Sequence, residues 1–163
     1  MSASPSLSLR ERKKAETWAA IHEAAAALVM RRGIERTTVE AIAENVGISA
    51  RTFFNYFPTK EDAVLGMRAP ALDPTLLKGF SLEHDALEQV ARLLLAVVRS
   101  AYEGGDPARR QVLMAQYPSL GQRRREYFGE AEELVRRTLA ELLATDPKWS
   151  EGVDSFDADE HAR

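Results

Sequence analysis

Ser49, Ala50, Arg51, Thr52 and Asn55 place a guanidinium, a carboxamide, two hydroxyls and a methyl group within one short stretch. Those types suit hydrogen bonding to the edges of base pairs. Arginine can pair with guanine O6 and N7, asparagine with adenine N6 and N7, and the methyls of alanine or threonine can touch a thymine methyl. Around them, Thr38, Tyr56 and Lys60 can reach phosphate oxygens, which hold a protein in register without reading sequence. Arg10, Arg12, Lys13 and Lys14 would add backbone contacts from the N-terminal side.

Other chemistries lack their residues. With no cysteine in the chain, disulfides, thiolate zinc sites and a cysteine nucleophile are excluded. His22, His84 and His161 are far apart, none has a partner at metal-ligand spacing, and each reads as a surface side chain. Glu130, Glu132 and Glu133 alternate with arginines, as on a salt-bridged helix face. No Ser/His/Asp order, phosphate-binding glycine loop or metal motif is present, so neither catalysis nor a cofactor is expected.

The elements that must position the polar cluster are helices. Trp18, Ile21, Ala25, Leu28 and Val29 recur at three- and four-residue steps on one face. Ser8 with Glu11 opens that helix and Gly33 stops it. Thr37 with Glu40 reads as a second capping box, followed by Val39, Ile42, Ala43 and Val46 facing inward. Gly47 makes a turn and Ser49 caps a third helix through Asn55 and Tyr56, which Pro58 ends. Thr59 with Asp62 caps a fourth helix reaching about Arg68. Two short capped helices around a glycine turn are a helix-turn-helix, and the long first helix supplies the apolar base they need.

Beyond a loop with Pro70 and Pro74, Leu87, Val90, Ala91, Leu94, Val97, Val98 and Ala101 keep helical spacing. Asp106-Pro107 starts another helix that Pro118 closes, and Ser119 with Gln122 caps the longest one, which ends at Thr145-Asp146-Pro147. No segment alternates with period two, so the expected class is all-α. The chain of 163 residues carries net charge −3, split as +2 over residues 1–68 and −5 over residues 69–163. Two domains are expected with that division. Apolar runs such as residues 24–30 and 93–98 are too short to span a bilayer, and the start lacks a signal-peptide h-region. A cytoplasmic protein with no membrane partner is the expectation.

Over about residues 10–68 the chain resembles the TetR family of bacterial transcriptional regulators, whose pattern from the second to the fourth helix is TTVxxIAxxxGxSxxTFYxYFxxKExL. The match lies at Thr37, Thr38, Val39, Ile42, Ala43, Gly47, Ser49, Thr52, Phe53, Tyr56, Phe57, Lys60 and Glu61, and loosely at Val64. Phe54 stands where the family more often has tyrosine, which leaves an outward apolar group suited to a thymine methyl. The resemblance implies a three-helix DNA-binding domain with a connector helix over residues 1–68. It implies an antiparallel helical domain over residues 69–163 for ligand sensing and dimerisation. Base readout would then fall to Ser49, Ala50, Arg51, Thr52, Phe54 and Asn55, and phosphate contact to Arg10, Lys13, Lys14, Thr38, Tyr56 and Lys60. A small-molecule pocket would draw on Met114, Tyr117, Tyr127, Phe128 and Trp149. The partners implied are double-stranded DNA, a second copy of the chain and a small-molecule effector. Because the family's eighth and ninth helices have no counterpart before Arg163, the expected dimer is weak and uses helices 6 and 7 with the tail around Trp149 and Phe156. The function implied is a ligand-responsive repressor that binds a palindromic operator as a dimer. The alternatives are a regulator of the same fold without ligand response and, from another class, an interaction module that kept the fold and lost DNA binding; a small helical-bundle enzyme is remoter.

Overall fold

The computed structural model describes residues 8–77, 80, 86–102 and 105–145. Seven α-helices occur among them: α1 Leu9–Arg32, α2 Val39–Val46, α3 Ala50–Phe54, α4 Lys60–Leu65, α5 Ala86–Ser100, α6 Pro107–Gln116 and α7 Pro118–Thr145, with a 3₁₀ turn at Pro74–Leu77. Among the described residues there is no strand, only an isolated bridge between Met67 and Tyr102. Over the described residues the fold is all-α, as expected.

Local chemistry explains the boundaries. Ser8 Oγ accepts from Glu11 N at 3.2 Å while the Glu11 carboxylate accepts from Ser8 N at 2.8 Å, so α1 opens on a complete capping box. Hydrogen bonding to the Ser8 side chain and to the Ser8 backbone N–H also holds the Glu11 carboxyl below its usual range. Thr38, one residue later than expected, caps α2 by accepting from Ala41 N. Thr37 is instead buried and its hydroxyl donates to Gly33 O at 2.9 Å, tying down the loop before α2. Gly47 ends α2 at φ 76°, a left-handed turn that costs glycine little. Helix α3 ends at Phe54, before Pro58 can act, because the N–H groups of Asn55 and Tyr56 turn back to Thr52 O and Phe53 O. Helix α4 stops at Gly66 in the same left-handed conformation, short of Arg68.

Two further expectations are corrected. Pro118 opens α7 rather than closing α6; Tyr117 caps α6, and the fixed φ of proline suits a first helical turn. The cap expected from Ser119 and Gln122 is therefore absent. Leu87, placed on the inner stripe of its helix, is 84% exposed, and on α5 only Leu93 and Val97 are buried.

The described residues form two compact units, one within residues 1–69 and 100–127, the other within 70–99 and 128–163. In the first, the α1 stripe of Trp18, Ile21, Ala25, Leu28 and Val29 is buried with Ile42, Ala43, Phe53, Phe57, Val64 and Leu65. Trp18 meets Phe57 at 5.1 Å between centroids, and Phe57 meets Phe53 at 6.0 Å. Aromatic anchors of this size are each worth about 3–5 kcal/mol against alanine. Helix α6 and the front of α7 belong to this unit, with Leu113, Leu120 and Tyr127 buried in it. In the second unit Leu93 and Val97 of α5, and Ala131 and Val135 of α7, are buried. No helix among the described residues is long and apolar enough to cross a membrane.

Candidate nucleic-acid interface

Helix α3 is short, and its side chains divide cleanly. Phe53 points into the core, while Arg51 and Asn55 are exposed and Phe54 is 56% exposed. Positions 51, 54 and 55 are three and four residues apart, hence neighbours on one helical face. Asn55 keeps that phase although it lies just past the helix, because its backbone remains right-handed helical at φ −73° and ψ −16°. The Phe54 ring stands edge-on to Phe53 at 5.5 Å and 89°, which steadies an otherwise solvent-facing phenyl. A guanidinium, a carboxamide and an apolar edge are thus presented together.

Ser49 and Thr52 have other work. Ser49 Oγ accepts from Thr52 N at 3.0 Å and lies 2.9 Å from Thr52 Oγ1, so this pair forms the N-cap of α3. Ala50 is half-buried.

Beside this face runs a groove of about 770 Å³, lined by Leu9, Arg10, Lys13, Lys14 and Thr17 of α1 and by Thr52, Asn55 and Tyr56. Arg10, Arg12, Lys13 and Lys14 are all exposed. The structure therefore gathers the cations of α1 against the end of α3, in the arrangement that an anionic backbone needs. Sequence reading missed Thr17, whose hydroxyl donates to Lys13 O. Its spacing from Lys13 and Lys14, four and three residues, was the available signal. Thr38 is exposed at the start of α2, with its hydroxyl oxygen accepting from Ala41 N.

Lys60 is placed differently. Its ammonium donates to Ile34 O at 3.0 Å and Thr37 O at 3.2 Å, so it clamps the α1–α2 loop onto α4. A cation at a helix N-terminus opposes the helix dipole, and these two carbonyls offset that cost.

Helix α4 is held from both ends. Asp62, almost fully buried, accepts from Thr59 Oγ1 at 2.7 Å and from Arg123 Nε of α7 at 2.8 Å. At the other end Arg110 Nε of α6 donates to Leu65 O at 2.8 Å, and Arg68 N donates to Ala101 O at 2.9 Å. Burial lowers the Arg110 pKa, with the Tyr102 ring lying 4.3 Å beneath the guanidinium. Sequence reading missed Arg123, Arg110 and Ala101 because each lies more than thirty positions from its partner on α4 or just after it.

Four of the five residues expected to line a ligand pocket are described. Met114 lines a shallow cleft of about 460 Å³ with Gln111, Ala115, Gly121, Arg124 and Arg125. Tyr117 is half-buried at the end of α6, Tyr127 is core, and Phe128 is 41% exposed. Trp149 and Phe156 of the tail lie outside the described residues, as do His84 and His161. Among the described residues no group of three or more His, Cys, Asp or Glu could hold a metal ion.

The comparisons fall on the same elements. Residues 21–65 match the model of the bacterial regulatory proteins, tetR family. That span runs from the core half of α1 to the last residue of α4. The HTH-type transcriptional regulator TcmR of Streptomyces glaucescens is 33% identical over 156 residues, covering 91% of this chain. The chain spans 66% of that relative's length. From the capped helices, the polar α3 face and these two likenesses together, the chain belongs to the TetR family of bacterial regulatory proteins.

Proposed function

We propose that this chain is a DNA-binding transcriptional regulator that represses its target by occupying a palindromic operator as a homodimer. The observation that carries the reading is the shared exposed face of Arg51, Phe54 and Asn55 beside the cationic groove of α1. In it, α3 enters the major groove, Arg51 and Asn55 pair with base edges, and Phe54 lies against an apolar edge. Arg10, Lys13, Lys14, Thr38 and Tyr56 contact phosphates, and each cationic contact releases counterions. One module covers one half-site, so two copies held about one helical turn apart supply the specificity. A small-molecule effector that binds the C-terminal helices would shift the spacing of the two α3 helices and so release DNA. No catalytic activity and no cofactor belong to the reading.

The test is fluorescence anisotropy with DNA from upstream of the chain's own coding region, against random DNA of equal length, at two salt concentrations. Tighter binding to the upstream fragment that weakens with salt is expected. Equal and weak binding to both would favour an interaction module of the same fold.

A further inference from the structure

His22 has no task in DNA binding and is not on the surface. It is 6% exposed, at a point where three segments of the first unit meet. Its Nδ1 lies 2.8 Å from Ala63 O of α4. A carbonyl can only accept, so Nδ1 carries the proton in the neutral ring and Nε2 is left with a lone pair. Among the described residues that buried Nε2 has no hydrogen-bond partner. The ring fills space left by two glycines. A Cβ on Gly66, at the end of α4, would come within 2.8 Å of the His22 Cε1, and one on Gly105, at the start of α6, within 2.5 Å of Nε2. Both glycines have positive φ, 63° and 77°. Trp18, one turn earlier on α1, packs at 5.8 Å between centroids.

The charges around the ring are unbalanced. Helix α6 contributes Arg109 and Arg110, helix α1 contributes Glu23, and α4 contributes only the Ala63 carbonyl. Glu23 is already engaged, since both its carboxylate oxygens accept from Arg109 at 2.7 Å. A second proton on His22 would create a buried cation beside two arginines, with an Nε2–H that finds no acceptor among the described residues.

We propose that His22 is a positioning residue that acts as a proton-sensitive latch. Neutral, it fastens α1 to α4 beneath the start of α6; protonated, it loosens that junction, and α3 loses the fixed support on which base reading depends. Only the last step rests on the DNA-binding reading. Burial, the largest influence, holds the His22 pKa below its ordinary value of 6.5, and the two arginines push the same way. The unfolded chain therefore takes up the proton first. The stability His22 contributes is complete above about pH 6.5 and is lost as pH falls from there through the folded-state pKa.

The experiment follows the imidazole nitrogens and backbone amides of the full chain by NMR from pH 8 to pH 5, with DNA affinity measured over the same range. His22→Asn keeps an N–H for Ala63 O and cannot take up a proton, while His84 and His161 remain in both proteins as internal controls. In the wild type, an Nδ1–H tautomer at neutral pH is expected. Amides of residues 63–67, 105, 106 and 108–110 should shift with His22 protonation, and DNA affinity should fall by at most tenfold per pH unit for each chain. The His22→Asn variant should lack that component. A proton on Nε2 at neutral pH, titration without shifts in α4 and α6, or an equal acid loss in His22→Asn would each overturn the latch. If no DNA is bound at pH 8, the DNA-binding reading fails, and the wild-type tautomer and amide shifts decide the latch alone.

Discussion

Lys60 separates two roles that its position in the sequence does not. If its ammonium serves the fold, replacing it should cost stability; if it grips a phosphate, replacement should cost salt dependence. Lys60→Met keeps the aliphatic stem and removes the donors. The wild-type ammonium makes hydrogen bonds of 3.0 and 3.2 Å to Ile34 O and Thr37 O in a half-buried setting. A charge-assisted bond of this kind contributes about 1.5–3 kcal/mol. The two share one ammonium, and Ile34 O keeps the N–H of Thr37 at 3.1 Å, so about 1.5–3 kcal/mol is expected for the whole clamp. For a chain of this size that lowers Tm by about 3–12 °C, taking 2–4 °C per kcal/mol. The assays are a thermal melt followed by circular dichroism, and anisotropy over a salt series at a temperature where the variant remains folded. The log–log salt slope should equal that of the wild type. An unchanged Tm with a slope shallower by about 0.9 for each chain would refute the internal clamp and return Lys60 to the phosphates.

On the specific operator, Arg51→Ala or Asn55→Ala should each cost about 1–3 kcal/mol and relax preference at one base pair, checked by competition with single-base variants. Equal weakening on random DNA would remove them from base reading. Replacing operator thymines by uracil one at a time should weaken wild-type binding at the position facing Phe54 and leave Phe54→Ala indifferent there; equal loss in both proteins would free Phe54 of that role. Arg123→Ala should destabilise the fold by about 3 kcal/mol, the low end for breaking a buried pair, because Thr59 still donates to the stranded Asp62 carboxylate. A melt shows this, and a loss below 1 kcal/mol would mean that the pair is solvated. Sedimentation over a concentration series should show a dimer; a strict monomer that still binds one half-site would overturn the two-copy operator.

The seven helices and their order among the described residues were legible because caps, glycine stops and apolar spacing act over three or four residues. Ser8 with Glu11, Asp106 with Pro107 and the stripe from Trp18 to Val29 behave as those rules require. So does the polar face of α3, since helical phase alone puts residues 51, 54 and 55 side by side. What the tertiary structure decided is where polar groups find partners. Lys60 turns inward to carbonyls 26 and 23 positions back, and Asp62 meets Arg123 from 61 positions ahead. His22 reads as a surface residue because its neighbours on α1 do not foretell Ala63, 41 positions away, or the two glycines its ring fills. Likewise, periodicity put Leu87 on an inner stripe, yet nothing in that periodicity specifies how far along α5 covering side chains extend. Helical phase is a property of the local backbone. Burial, and the choice of partner that burial forces on a polar group, belongs to segments distant in the chain that fold against one another.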